Sequence, residues 1–360
     1  MFAARLLPAL VRRGHEVTVV AGHHCAGLPE RTDFEGVTVH RFPFHQVLSL
    51  HDAGRTAALL GEVSGLKRAV QPDVLHLNTL GPSVLFHLRT MAHAPAPVLL
   101  TMHSPVAEDA ARPDTLYGRA LRSADRVNCN SQAVRAELCR RVPEASERST
   151  VVYYGMEKPA LRPGPRPWRE PRVLGYGRLV PEKGFDLLVR AFALVVARYP
   201  RARLVLAGEG GVRGDLERLA AELGVAAAVD FVGPVSPAAV PALLDAASLV
   251  VVPSRWAEPF GLVALEAALM ARPVVAARTG GLPEVVEDGV TGVLVEREEV
   301  AGLADAIARL RADPAGADGM GVAGRERARV RFGWDRRVGE YEQLYEWTRR
   351  TPRTRGGVHA

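Results

Sequence analysis

Short runs of β-branched and aliphatic residues alternate with amphipathic stretches along almost the whole chain. In the first half the strand-like runs are Glu16–Ala21, Val37–Phe42, Asp73–Asn78, Val98–His103, Arg126–Asn130 and Thr150–Tyr154, with helical periodicity between them in stretches such as Gly54–Ala69 and Gln132–Arg141. A second series places strands at Arg172–Tyr176, Arg203–Ala207, Val229–Val232, Leu249–Pro253, Pro273–Ala276 and Gly292–Val295. Its helices include Asp186–Arg198, Arg213–Leu223, Val240–Ala246, Leu262–Ala271 and Val300–Arg311. Near-continuous apolar strands separated by helices mark parallel sheets covered on both faces. Between the two series lies Glu157–Arg172, with five prolines and no periodicity, which reads as a linker. The expected architecture is therefore α/β: two Rossmann-like, doubly wound domains, residues 1–156 and 172–333, joined by residues 157–171. A closing helix follows over Trp334–Thr348, and residues 351–360 are expected to fray.

The start of the chain departs from this scheme. It opens inside a helical stretch, Phe2–Arg13, that feeds the strand Glu16–Ala21. In the common 3-2-1-4-5 strand order the first strand is central. The pattern therefore predicts an N-terminal sheet without its central strand, which would leave two rows of backbone groups unpaired. On this reading the natural protein begins upstream of Met1.

Composition narrows the class. A chain of 360 residues exceeds one ordinary core, which agrees with two domains. It is 48% hydrophobic and 24% charged, as a globular protein is. No apolar run approaches the ~18 residues of a membrane-spanning helix. The opening apolar stretch is short, broken by Pro8 and lacks a small-residue cleavage site, so it does not read as a signal peptide. Three cysteines, Cys25, Cys129 and Cys139, make no disulfide framework, and a cytoplasmic location follows. Charge is uneven: residues 1–171 carry a net +5, residues 172–334 a net −1 and the tail a net +2. A basic first half suits a phosphorylated acceptor or peripheral contact with the inner face of a membrane. The same excess is equally accounted for by a solvated arginine-rich surface, and with no long Lys/Arg cluster a nucleic-acid partner is not expected.

The chemistry concentrates in the second half. The segment Gly175–Gly184 runs from a strand end towards a helix and carries Arg178 and Lys183 between glycines, a pattern suited to a diphosphate. Its spacing is not that of a P-loop. The run Gly208–Gly211 reads as a turn. In Pro253–Glu266, Glu258 lies in a loop after a strand and Glu266 eight positions later in the following helix. The amides of Phe260, Gly261 and Leu262 open that helix and form an anion site. Carboxylates at the edges of such a site accept hydrogen bonds from sugar hydroxyls. The segment Thr279–Glu284 completes the set. His23, His24 and Cys25 are adjacent, but no distant ligands complete a metal site, and no metal is expected.

In this order, these motifs resemble family-4 retaining glycosyltransferases of the GT-B fold. The motifs are Gly-Arg-Leu at 177–179 with Lys183-Gly184, Glu258-Pro-Phe-Gly-Leu-Val-Ala-Leu-Glu266, and the stretch from Pro273 through Thr279-Gly-Gly-Leu-Pro-Glu284 to Val295. The resemblance covers nearly the whole chain, since Arg12–Val20, Pro72–Asn78, Leu99–Ser104, Asn128–Val134 and the closing helix also fall in the family's order. It implies two domains facing a cleft, with the closing helix crossing back to the first. It implies a hexosyl transferase that moves a sugar from a nucleotide-diphosphate sugar to a glycan, lipid or small-molecule acceptor, with retention and without a metal or other cofactor. Carried over residue by residue, Arg178 and Lys183 hold the donor diphosphate and Glu266 the ribose. Glu258 faces hydroxyls of the transferred sugar, and Phe260, Gly261 and Leu262 bind through their backbone. Val235 lies against the base, and His103 stands near the reacting sugar and acceptor. His103 also reads as a satisfied strand-end histidine. The departures are the absent opening strand with its Gly-Gly loop, Ala271 in place of a helix-ending glycine, Tyr154 in place of asparagine and Glu157 in place of aspartate. Three alternatives stay open: an epimerase or a phosphorylase on the same architecture, or a truncated, inactive relative that binds a nucleotide sugar.

Overall fold

The computed structural model describes residues 2–23, 27–93 and 95–351. Two compact units divide it. The first comprises the described residues up to Asn130, Val134–Val152 and those from Asp335 onward; the second comprises Ser131–Ala133 and Tyr153–Trp334.

The first unit holds strands β1 (Thr18–Gly22), β2 (Arg31–Phe34), β3 (Val37–Phe42), β4 (Leu75–Leu77), β5 (Val98–Met102), β6 (Arg126–Cys129) and β7 (Ser149–Val151). They form two separate sheets, β1-β3-β2 and the all-parallel β4-β5-β6-β7, in place of one continuous sheet. The first of these is mixed, because β2 pairs antiparallel with β3. Their hairpin turns on Glu35 and Gly36, both with positive φ (49° and 81°), as a tight turn matching strand twist requires; the Asp33 carboxylate accepts the Gly36 amide at 3.0 Å. β2 is not among the strands expected from the sequence, because Arg31-Thr-Asp-Phe34 shows no apolar alternation. The strand expected at Thr150–Tyr154 is the shorter β7.

The helix Trp334–Arg349 lies, from Asp335 onward, on the first unit, held by contacts from β4 and β6. The His76 ring meets the Tyr345 hydroxyl at 2.8 Å through Nδ1 and the Thr101 hydroxyl at 2.8 Å through Nε2. Asn128 donates from Nδ2 to the Tyr341 hydroxyl (3.2 Å) and accepts the Val152 amide (2.8 Å). The Arg126 guanidinium stacks 3.9 Å from the centre of the Trp347 ring.

The second unit is built on one parallel sheet of β8 (Arg172–Tyr176), β9 (Arg203–Ala207), β10 (Val229–Gly233), β11 (Leu249–Val252), β12 (Val274–Ala277) and β13 (Gly292–Val295). The order β10-β9-β8-β11-β12-β13 is that of a doubly wound sheet. Alternate residues bury opposite faces: Val173, Leu249 and Val251 pack with Leu188, Phe192, Leu303 and Ile307. On the other face Leu174, Val250 and Val252 pack with Leu265, Leu269 and Phe332. A further helix, Pro314–Phe332, is begun by Asp313, whose carboxylate accepts the Gly316 amide at 2.9 Å, with Pro314 in its first turn.

Residues 157–171, expected as a linker, have almost no regular structure but belong to the second unit and are tied to it. Arg272, fully buried, donates to the carbonyls of Leu244 (2.8 Å), Gly164 (3.1 Å) and Asp245 (2.6 Å) and to the Asp245 carboxylate (2.6 Å). The Gly164 amide reaches that same carboxylate at 2.7 Å. Arg166 and the Trp168 indole both meet the Asp318 carboxylate at 2.9 Å.

Candidate functional site

All strand pairings of the second unit's sheet are parallel, so the loops after its strands gather at one edge. Strand order reverses between β8 and β11, and the crevice outside such a point is where open α/β sheets bind ligands. The loop after β8 carries Arg178, exposed, and Lys183; the loop after β11 carries Glu258 and opens the helix Leu262–Leu269, which bears Glu266. The motifs far apart in sequence thus arrive on neighbouring strand ends.

Two glycines make the approach possible. Gly184 has φ +67°, and a Cβ there would lie 2.2 Å from the Pro253 carbonyl oxygen, so the Lys183 loop touches the β11 loop only because that atom is missing. Gly280 has φ +54°, and its Cβ would lie 2.2 Å from the Glu258 carbonyl oxygen. The Gly281 amide donates to that oxygen at 2.7 Å, so the Thr279–Glu284 segment seats the backbone of Glu258. The run Gly208–Gly211 runs beside the Arg178 loop: the amide of Leu179 donates to Glu209 at 2.8 Å and that of Gly177 to Ala207 at 2.9 Å.

Within this frame Lys183 Nζ donates to Glu258 Oε1 at 2.5 Å, both side chains being largely buried. Ser254, fully buried, donates its hydroxyl to the same oxygen at 2.6 Å. The Lys183 ammonium also lies 5.4 Å from the centre of the Trp256 ring. Glu266 receives the Tyr176 hydroxyl, and burial first, then the Glu266 charge, push that phenol well above the usual tyrosine range. Tyr176 therefore stays a neutral donor that orients Glu266. The helix opened by Glu258's loop has Gly261 at its N-cap with φ +106°, and among the described residues the amides of Phe260, Gly261 and Leu262 have no acceptor. The Phe260 ring is fully buried against Tyr153, Tyr154 and Phe332, which fixes the backbone that presents those amides. Val235, just beyond β10, is half-buried against the same core.

His103 lies in the first unit, directly after β5. Its Nε2 meets Asn78 Oδ1 at 3.2 Å and its carbonyl accepts Asn130 Nδ2 at 2.9 Å, so the ends of β4, β5 and β6 converge on it. Burial holds its imidazole below the usual histidine range, against the opposing pull of Asn78, so the ring is neutral near pH 7.

Tyr176, Ser254, Trp256, Asn78 and Asn130 each lie inside one of the motifs, yet their roles are visible only in the structure. Single-letter spacing carries no signal for a residue that acts by touching another motif. His23 has its Nε2 2.8 Å from the Leu28 carbonyl oxygen, while His24 and Cys25 lie outside the described residues; among the described residues no cluster of three His, Cys, Asp or Glu side chains suits a metal. No helix of the described residues is long and apolar enough to cross a membrane.

Comparison with known proteins bears on the family and the fold. Residues 1–158 match the family described as Glycosyltransferase Family 4, and residues 160–327 that described as Glycosyl transferases group 1. The chain is 39% identical over 227 residues to a D-inositol 3-phosphate glycosyltransferase of Mycolicibacterium paratuberculosis, covering 59% of this chain and 50% of that protein. It is 38% identical over 243 residues to the protein of the same name from Thermobispora bispora, covering 62% and 56%. It thus spans about half the length of the curated relatives it matches. Among solved structures, HepE of Anabaena with UDP and glucose is 23% identical with a TM-score of 0.77, covering 96% of this chain and 95% of that one. Sucrose-phosphate synthase from Thermosynechococcus elongatus is 26% identical with a TM-score of 0.77, covering 95% and 91%. With both halves matched in order and the fold shared from end to end, the chain belongs to the family-4 glycosyltransferases of the GT-B fold.

Proposed function

We propose that this protein transfers a hexose from a nucleotide-diphosphate sugar to an acceptor hydroxyl, with retention of anomeric configuration and without a metal. The observation that carries this reading is the gathering of Arg178, Lys183, Glu258 and Glu266 on loops and a helix beside the β8–β11 switch point. Solved proteins of this fold have been seen with UDP and with UDP-glucose.

Breaking the sugar–phosphate bond builds negative charge on the departing diphosphate. Arg178, Lys183 and the amides at Phe260–Leu262 supply fixed positive charge and donors for it, the electrostatic stabilisation that dominates such catalysis. Fixed cations fill the role a divalent ion plays elsewhere. Glu258 accepts from hydroxyls of the transferred sugar, Glu266, oriented by Tyr176, from the ribose, and Val235 borders the base. His103, neutral and held by Asn78, belongs to the acceptor half of the reaction. Retention follows if the acceptor attacks on the face the diphosphate leaves, with a phosphate oxygen taking its proton; no carboxylate nucleophile is then needed.

For the acceptor, a phosphorylated polyol fits two facts: the relatives' names specify an inositol phosphate, and residues 1–171 carry a net +5. A cytoplasmic enzyme, meeting a membrane surface at most peripherally, is consistent with both. The test is transfer from a panel of nucleotide sugars to inositol phosphates and to unphosphorylated inositol, with product analysis. Arg178→Ala is expected to lower turnover by ~10²–10³-fold with folding unchanged. Near-normal turnover of that variant would remove the diphosphate role, and release of isomerised free sugar, or dependence on inorganic phosphate, would replace transfer by another reaction.

A further inference from the structure

The Lys183–Glu258 pair has a consequence for which ligand the site retains. Resting on the assignment of Lys183 to the diphosphate and Glu258 to the sugar, we infer that Glu258 is a specificity-determining residue. It holds Lys183 until a ligand supplies both an anion and hydroxyl donors, and so favours the intact nucleotide sugar over the spent nucleoside diphosphate.

One Glu258 oxygen takes both the Lys183 ammonium (2.5 Å) and the Ser254 hydroxyl (2.6 Å). Glu258 is 6% exposed and Ser254 is fully buried, so water compensates little of the carboxylate's charge. A buried carboxylate that loses its cation keeps most of its desolvation penalty unless other donors replace it. A bare diphosphate draws Lys183 away and leaves Ser254 as the remaining side-chain donor to Glu258 among the described residues. An intact donor draws Lys183 in the same way but brings sugar hydroxyls that donate to Glu258. The cost of separating the pair therefore falls on the product and is offset for the substrate, which hastens product release. Trp256 reports the exchange, because the ammonium lies 5.4 Å from its ring centre and its buried indole N–H has no acceptor among the described residues. Movement of Lys183 changes the electrostatic field on that ring.

The experiment measures binding of UDP and UDP-glucose by calorimetry, or GDP and GDP-mannose where those bind more tightly, with tryptophan emission recorded in the same samples. Glu258→Gln removes the charge that competes for Lys183. It is expected to bind the nucleoside diphosphate about tenfold more tightly, the gain of one freed charge-assisted contact, while the nucleotide sugar gains less, so that the two affinities converge. Its ligand-free emission should resemble that of the diphosphate-bound parent, a shift that Trp256→Phe abolishes. Ser254→Ala serves if Glu258→Gln does not fold: it removes the last donor to Glu258 and should weaken diphosphate binding more than nucleotide-sugar binding. Unchanged or weaker diphosphate binding in folded Glu258→Gln overturns the exchange, as does an equal loss for both ligands in Ser254→Ala. Lys183→Met separates the two ideas. If it leaves both affinities intact, the diphosphate assignment itself fails; if it loses both while Glu258→Gln gains nothing, only the exchange fails.

Discussion

The two units solve the same architectural problem differently. The second lays six strands into one doubly wound sheet and buries both faces; even the proline-rich segment before it is fastened by the fully buried Arg272. The first divides its strands between two sheets and relies on a helix from the far end of the chain, pinned through His76, Asn128 and Arg126. A continuous sheet derives its order from repeated apolar strands, so its strength is spread over many contacts. The divided one also buries apolar clusters, one around Leu100 and Leu121 and one around Phe44 and Phe86, and adds to them a few polar contacts with specific geometry. The residues proposed to bind the diphosphate sit on the spread-out unit, where loops can be elaborated without loss of the frame.

The largest effect that tests this contrast is expected at Arg272. Arg272→Met leaves three backbone carbonyls and the Asp245 carboxylate without their buried donor, and the loss should be ~3–5 kcal/mol, measured by urea unfolding. A loss below about 1 kcal/mol, the scale of exposed pairs, would mean that the segment 157–171 is not held as its contacts imply.

The first unit should instead be sensitive to acid. Burial, with a smaller contribution from His103, lowers the His76 pKa to about 3, against 6.5 for an unfolded histidine. The folded state thus excludes a proton that the unfolded chain accepts. The contribution to stability is complete above pH 6.5 and declines as pH falls towards 3, by at most ~1.4 kcal/mol per pH unit. Unfolding curves at several pH values should show this slope, and His76→Asn should flatten it at some cost in stability at pH 7. An unchanged slope would place the acid sensitivity elsewhere.

The smallest effect lies at Ala271, which has φ +53° at the end of the helix Leu262–Leu269. Ala271→Gly relieves a left-handed alanine and loses a buried methyl, so a net stabilisation of under ~1 kcal/mol is expected in thermal unfolding. A destabilisation would mean that packing of the methyl outweighs the backbone.

How far the chain could be read in advance differs between the same two units. Every strand of the second was legible, since buried parallel strands appear as near-continuous apolar runs; the order in which they pair came from the structure. In the first unit β2 was invisible, because Arg31, Thr32 and Asp33 carry no apolar pattern and its existence depends on the turn at Glu35 and Gly36. The helix Pro314–Phe332 was also passed over, since Asp313, Pro314 and several glycines resemble a break until Asp313 is seen to cap.

The amino-acid sequence by itself determined the alternation of elements, the loops that carry Arg178, Lys183, Glu258 and Glu266, and the glycines that let those loops meet. These are local properties, set by periodicity and backbone freedom within a few residues. Only the tertiary structure decided that Lys183 rests on Glu258 and Trp256, that Tyr176 orients Glu266, and that Arg272 holds a segment more than 100 residues away. Such pairings depend on which strands become neighbours, and that is settled by the cooperative burial of the whole sheet, which no single stretch of sequence encodes.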